Sequence, residues 1–263
     1  MRNKIVFGRY IHTGSWLHEL DPRAKTLAML LFMCAVFLID SYGGVLAIFA
    51  FALIVMRSSK IPLTYFVRAI KPLTFILLFT VIFHLLFESS GSRYIDLGMF
   101  TVYSGGIEKG LISASRMMLF IAFAALLTFT TKPERLVQGL GSLLKPLRYI
   151  GVRPDKLSLM IGTALRFIPV VFEEAQRIWK AQVSRGLDLR EQPLRRRASL
   201  VLALLVPVTA GAFRRAVDLA DSMEARGYQL GAPRTAYRSL SWRLQDTLFL
   251  CFFLPAIAAA FLL

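Results

Sequence analysis

The chain has 263 residues, of which 56% are hydrophobic, and its mean hydropathy is +0.58. Several stretches approach the roughly 20 apolar residues that a helix needs to cross a bilayer, so the composition excludes an ordinary soluble domain. A net charge of +16 would favour nucleic-acid binding in a soluble protein. In a membrane protein the same bases collect on cytoplasmic segments, so we expect no nucleic-acid partner. The first 23 residues are polar and basic, and we expect no secretory signal peptide there.

Apolar stretches separated by short polar segments predict an all-α integral membrane protein with about five transmembrane helices. In chain order they cover about residues 26–39, 43–56, 72–87, 111–131 and 247–263. A further apolar run at 198–213 has three arginines before it and Arg214 and Arg215 after it. Positive charge at both ends argues against a normal crossing, because one end would then lie outside the cell.

The distribution of charge predicts the topology. The N-terminus and the segment after the second span are basic, and residues 132–245 carry 20 basic and nine acidic side chains. The positive-inside rule places all three in the cytoplasm, with the N-terminus inside and the C-terminus outside. We therefore divide the chain into an N-terminal membrane domain of four spans (1–131), a cytoplasmic domain (132–243) and a C-terminal transmembrane helix (244–263).

Small residues mark a place where helices can approach closely. Gly106, Gly110 and Ala114 lead into the fourth span at a spacing that brings backbones together, either within the chain or against a partner. Cys34 and Cys251 both lie in apolar segments. We interpret them as small buried hydrophobic residues that form no disulfide.

Prolines divide the cytoplasmic domain into three helical units at about residues 134–149, 154–185 and 194–226. A helix of some 30 residues is about 45 Å long. The last two units begin apolar and become charged toward their ends. They are thus predicted to be amphipathic arms whose far ends lie away from the bilayer.

The two arms end in nearly the same way. One closes on Ser184, Arg185 and Gly186, and the other on Ala225, Arg226 and Gly227. A glycine just past a helical run indicates a C-cap, and an arginine beside it is favoured by the helix dipole. An ordinary dipole role would explain either arginine alone. Their repetition suggests a pair of levers that touch something outside the membrane.

No catalytic, metal or cofactor site can be assembled from the sequence. It holds no G-x-x-x-x-G-K-[ST] phosphate loop, so the chain is not expected to hydrolyse ATP itself. His12, His18 and His84 lack the spacing of metal ligands. Arg116 lies near the outer end of a span, where its side chain is expected to reach the interface.

Residues 15–26 (SWLHELDPRAKT), together with the two Arg-Gly ends, resemble the transmembrane T component of energy-coupling factor (ECF) transporters. The first tip has Ser184 where alanine is commoner in that family. The resemblance covers essentially the whole chain. It implies a non-enzymatic subunit of the bacterial or archaeal cell membrane that joins two ABC-type ATPase subunits to a membrane-embedded substrate-binding S component. The S component captures a vitamin or a transition-metal ion.

The same resemblance implies roles for residues. The cytoplasmic domain would be a coupling domain, and Arg185 and Arg226 would dock in grooves of the two ATPases while their small neighbours allow close approach. The apolar starts of the arms, near 157–171 and 200–208, would face the S component. One alternative is the permease of a conventional ABC importer, suggested by Glu173-Glu174-Ala175 and a later glycine. Another is a membrane-bound enzyme, for which the sequence offers no convergent set of acids, histidines or nucleophiles.

Overall fold

The computed structural model describes residues 10–39, 41–96, 101–151, 153–186, 193–229, 232 and 240–262. Within them the protein is helical except for one antiparallel hairpin. The helices are α1 (Trp16–Glu19), α2 (Pro22–Leu38), α3 (Tyr42–Ser58), α4 (Leu63–Ile70), α5 (Thr74–Phe87), α6 (Ser104–Thr130), α7 (Pro133–Leu143), α8 (Pro154–Ser184), α9 (Leu194–Ala225) and α10 (Leu244–Leu262). The hairpin pairs β1 (Arg93–Asp96) with β2 (Thr101–Tyr103), and 3-10 turns cover Lys71–Leu73 and Lys145–Ile150.

The prediction of an all-α membrane protein is confirmed. By length and composition, three helices of the described residues can cross a membrane: Leu63–Phe87, Ser104–Thr130 and Ser199–Ala225. Tyr42–Ser58 and Leu244–Pro255 are shorter apolar helices. The third long helix includes the run whose flanking charges argued against a crossing. Its cytoplasmic placement stays a prediction from charge.

Two connections differ from the sequence-based expectation. Residues 57–71 were expected to form a loop, but α4 lies within them and continues through a 3-10 turn at Lys71–Leu73 into α5. Pro72 removes one helical hydrogen bond, and the tighter turn absorbs that loss without ending the helix. The loop expected between the third and fourth spans contains the β1–β2 hairpin and the first turns of α6.

The chain folds as two compact units. The first comprises Met1–Val152 with Leu240–Leu263, and the second comprises Arg153–Ser239. Helix α7 and the C-terminal helix α10 therefore belong to the first unit, and α8 and α9 form the second. The boundaries predicted at residues 131 and 243 concern placement in the membrane and stay predictions.

Stacked phenylalanines form the core of the first unit. The rings of Phe32 (α2) and Phe123 (α6) are 3.8 Å apart between centroids, and Phe253 (α10) meets Phe51 (α3) edge-on at 4.9 Å. Since lipid is as apolar as these side chains, close van der Waals packing holds the helices together. The last helix thus packs into the centre of this unit.

Helices α5 and α6 approach closely at the predicted small residues. A Cβ added to Gly106 would lie 2.7 Å from the carbonyl oxygen of His84, and one added to Gly110 would lie 3.3 Å from the His84 Cβ. The spacing of these small residues allowed close packing either within the chain or against a partner, and the structure shows packing within the chain. The expectation that both cysteines are buried was wrong: Cys34 and Cys251 are free and exposed in this chain.

Candidate functional site

The predicted arms correspond to α8 and α9, whose observed ends lie within one residue of the expected ones. Both helices carry an internal proline, Pro169 and Pro207, without ending there. Both start after a polar segment and run for more than 30 residues. Two long helices in contact with each other thus make up the second unit.

Both helices end in the geometry that the glycines predict. Arg185 is the C-cap of α8 and Gly186 follows with φ +87°. Arg226 is the C-cap of α9 and Gly227 follows with φ +74°. A positive φ of this kind strains any residue with a Cβ, which explains why glycine stands at both positions.

Backbone hydrogen bonds close each tip. The Gly186 N–H donates to the Val183 carbonyl at 3.0 Å, and the Gly227 N–H donates to the Glu224 carbonyl at 2.8 Å. In α9 the Tyr228 N–H also donates to Met223 at 3.0 Å, which completes a Schellman motif. The cap carbonyls are thereby satisfied, so each arginine projects from a well-defined helix end.

All six tip residues are exposed. Arg185 and Arg226 are exposed, and within the described residues neither guanidinium has an ion-pair or hydrogen-bond partner. Nothing lies within 4 Å of a Cβ added to Gly186 or Gly227. The Ser184 hydroxyl donates back to the Lys180 carbonyl at 3.1 Å, and Ala225 is exposed. Both arginines are therefore available to a partner protein.

The two helices meet at an ion pair that sequence reasoning missed. Glu174 Oε2 of α8 lies 2.6 Å from Arg215 Nη2 of α9, and the two side chains are 26% and 34% exposed. A Cβ on Gly211 would lie 2.7 Å from Glu174 Oε1, so glycine allows the α9 backbone to approach the carboxylate. Gly211 and Arg215 are four residues apart on one face, which is the signal that could have indicated this contact. We call these three residues the α8–α9 contact.

Each tip arginine follows a residue of the α8–α9 contact at the same spacing along its helix. Arg185 follows Glu174 by eleven residues, and Arg226 follows Arg215 by eleven residues. Eleven residues make about three helical turns and about 16 Å, ending only about 20° from the starting direction. By this geometry each tip arginine is on the same side of its helix as the residue of that helix that forms the ion pair.

Residues 15–26, which we call the N-terminal block, are largely buried. The Ser15 hydroxyl lies 2.6 Å from His18 Nδ1, and His18 Nε2 lies 2.7 Å from the Ile11 carbonyl oxygen. Burial lowers the pKa of His18 below its usual 6.5, although the bond to Ile11 opposes that shift. A neutral ring satisfies both contacts, with Nε2–H as donor and Nδ1 as acceptor.

The same block is joined to distant helices. The Asp21 carboxylate accepts from the Arg23 N–H at 2.8 Å and caps α2, while the Asp21 N–H donates to Asp246 Oδ1 at 2.7 Å. Lys25 Nζ donates to the Thr130 carbonyl at 3.2 Å. Burial lowers the pKa of Lys25 to about 8, and the nearby charge of Arg135 adds to that shift. These contacts connect the start of α2 to α6 and α10.

Two polar residues of the apolar segments have structural contacts. Arg116 donates to the carbonyl of Ile39 at the end of α2, and His84 Nδ1 lies 2.9 Å from the Thr80 carbonyl. Among the described residues, no group of three His, Cys, Asp or Glu side chains has the arrangement of a metal site. Glu174, which suggested a conventional permease, lies against α9.

These features define the class: a helical membrane protein whose second unit presents two matched arginine ends. Residues 13–237 match the family model CbiQ, described as cobalt transport protein. The chain is 38% identical over 247 residues to the energy-coupling factor transporter transmembrane protein EcfT of Bacillus subtilis (strain 168), covering 94% of this chain and 93% of that protein. The EcfT proteins of Macrococcus caseolyticus (strain JCSC5402) and Streptococcus equi subsp. equi (strain 4047) are 36% and 39% identical, over 97% and 94% of this chain and 96% and 91% of theirs.

The chain therefore belongs to the CbiQ/EcfT family of transmembrane T components of ECF transporters. The matched region includes both arginine tips and the N-terminal block. The resemblance inferred from residues 15–26 and the two tips is confirmed.

Proposed function

We propose that this chain is the non-catalytic coupling subunit of an ECF-type importer. It transmits the motion of two ABC-type ATPase subunits to a membrane-embedded S component that takes up a vitamin or a transition-metal ion. Membership of the family supports the transporter role. The observation that carries the coupling role is the pair of exposed arginines, each on a helix end closed by a glycine of positive φ.

Arg185 and Arg226 are the proposed ATPase-docking residues. A guanidinium presents a planar fork of donors that binds carboxylates or backbone carbonyls in two-pronged fashion. Ser184, Gly186, Ala225 and Gly227 surround the two forks with small side chains, so that a groove can enclose each one. The closed caps hold the backbone at each arginine in one conformation, which lowers the backbone entropy lost on docking.

The α8–α9 contact provides the mechanical link between the two docking points. Glu174 and Arg215 hold the helices together about 16 Å before their tips. A change in the separation of two ATPases would move the tips, and the paired helices would transmit that movement toward their apolar beginnings.

Those beginnings are the proposed surface for the S component. Met160 and Ile161 in α8, and Leu202 and Val206 in α9, are large apolar side chains that are exposed in this chain. An apolar helix face of this kind can pack against another membrane helix. We place the N-terminus and the arms on the cytoplasmic side of the cell membrane, as the charge distribution predicts.

The docking proposal is tested with Arg185→Ala and Arg226→Ala, singly and together. Loss of a hydrogen-bonded interfacial charge costs roughly 2–5 kcal/mol. We therefore expect the double variant to lose most copurification with the ATPases, stimulated ATPase activity and uptake. The variant should still insert in the membrane, because both side chains are exposed.

Arg177→Ala in α8 and Arg214→Ala in α9 are matched controls, since both remove an exposed arginine away from the tips. We expect them to behave almost as the unaltered chain does. Normal uptake by the double tip variant, or an equal loss in the controls, would refute the docking role. Isolation with a soluble binding protein in place of a small membrane subunit would indicate a conventional importer.

A further inference from the structure

A cavity of about 290 Å³ opens in the first unit, beside the N-terminal block. It lies between the segment before α1, the start of α2, the end of α6 and the start of α7. Among its lining residues are Lys25, Lys132 and Arg135, together with Thr131, His12 and Glu19. Docking at the arm tips makes no use of this cavity.

The cavity wall is strongly cationic. Lys25 is only 5% exposed, and two of its three N–H groups donate to Thr130 and Thr131. Lys132 Nζ lies 5.4 Å from the centre of the Tyr10 ring, and neither Lys132 nor Arg135 has a carboxylate partner in the described part of the chain. Two exposed bases and a buried lysine whose pKa is lowered to about 8 thus line one cavity.

Few negative charges offset them. Glu19 is the carboxylate among the described lining residues. The buried carboxylates of Asp21 and Asp246 favour the ammonium form of Lys25, but the cavity's described lining does not include them. The charge of Arg135 lies close enough to Lys25 to disfavour its ammonium form. An anion between these two side chains would replace that repulsion by two attractions.

The start of α7 adds to this field. Lys132 is the N-cap residue, and its side chain makes no capping hydrogen bond. Pro133 has no N–H and Glu134 is acidic, so this turn contributes the free N–H groups of Glu134 and Arg135 and the helix dipole, which favour a bound anion. Thr131 and Lys132 both line the cavity, so this end of α7 borders it.

The position of the cavity indicates where its ligand comes from. Helix α6 is long and apolar enough to cross a membrane and ends at Thr130, the residue before Thr131. The end of an apolar helix lies at the level of the lipid headgroups. Basic pockets between membrane helices at this depth bind anionic headgroups. We propose that this cavity binds a phosphate group, supplied by the headgroup of an anionic phospholipid.

The test uses the purified full-length chain in neutral detergent. The probes are dioleoyl phosphatidylglycerol, dioleoyl phosphatidylcholine and inorganic phosphate, each titrated while the thermal midpoint and the retained lipid are measured, the latter by native mass spectrometry. We expect phosphatidylglycerol to bind and stabilise the chain. Each removed charge near a membrane surface weakens such binding about fivefold, so Lys132→Gln with Arg135→Gln should weaken it about 30-fold.

Arg57→Gln is the matched control, because Arg57 is an exposed base at the end of α3 outside the cavity. It should leave the affinity within about twofold. If inorganic phosphate alone stabilises the chain and the double variant loses that effect, the cavity is a phosphate site. Its assignment to a lipid headgroup is then overturned. Equal weakening by Arg57→Gln, or equal binding of phosphatidylcholine, would overturn the site itself.

Discussion

The α8–α9 contact predicts an unusual response to alanine at Gly211. In a helix interior, replacing glycine by alanine ordinarily stabilises by about 0.5–1 kcal/mol. At this position the new Cβ would lie 2.7 Å from Glu174 Oε1 and 3.2 Å from its Cδ. The carboxylate must move, and its 2.6 Å ion pair with Arg215 is lost.

The free energy that the ion pair contributes follows from the exposure of its two side chains. The pair is about one-quarter to one-third exposed, so it is worth about 1 kcal/mol and not the several kcal/mol of a fully buried pair. Loss of the pair offsets the gain in helix propensity, and Gly211→Ala should leave the free energy of unfolding unchanged or lower it by up to about 0.5 kcal/mol. Gly162→Ala is the control in α8, because nothing lies within 4 Å of its added Cβ. It should stabilise by about 0.5–1 kcal/mol.

The assay is a double-mutant cycle. The free energy of unfolding is measured in detergent micelles by denaturant titration for Gly211→Ala, Glu174→Ala and both together. In the Glu174→Ala background the obstructing carboxylate is gone, so Gly211→Ala should regain the stabilisation seen at Gly162. If Gly211→Ala stabilises equally in both backgrounds, the close approach of α9 to Glu174 is wrong.

Two further outcomes are expected. At the second tip, Gly227→Ala should lower the free energy of unfolding by roughly 1–2 kcal/mol because φ is +74°, and Gly227→Asn should lower it less because asparagine tolerates this conformation. Copurification with the ATPases should weaken more for alanine than for asparagine. Equal losses would contradict a conformational role. In the N-terminal block, burial lowers the pKa of His18, so the neutral ring favours the folded state. The stability that His18 contributes is complete above about pH 6.5 and is lost as the pH falls below it. The thermal midpoint should therefore drop more between pH 7.5 and 5.5 in the unaltered chain than in His18→Gln, and identical slopes would show that His18 does not contribute.

The tips could be predicted because helix ends are local. An arginine followed by glycine needs only its own backbone conformation to end a helix, so both ends were placed within one residue. Apolar length likewise predicted the membrane class. The third span was predicted to begin at about residue 72, but the chain is already helical from Leu63, because a 3-10 turn continues α4 into α5.

The contacts that join distant parts of the chain could not be predicted in this way. Asp21 and Asp246 are 225 residues apart, and Glu174 meets Arg215 only because α8 and α9 pack with Gly211 between them. The charge on Lys25, Lys132 and Arg135 is visible in the sequence, yet their meeting around one cavity is not.

The sequence by itself thus determined the helical membrane class, the two arms and the glycines at their ends, since each depends on residues within a few turns of one another. The tertiary structure alone decided which faces of those arms meet, how the N-terminal block is held and where basic side chains converge on one cavity. Those features depend on the packing of helices that lie far apart in the chain, and helix packing is set by the fit of many side chains at once.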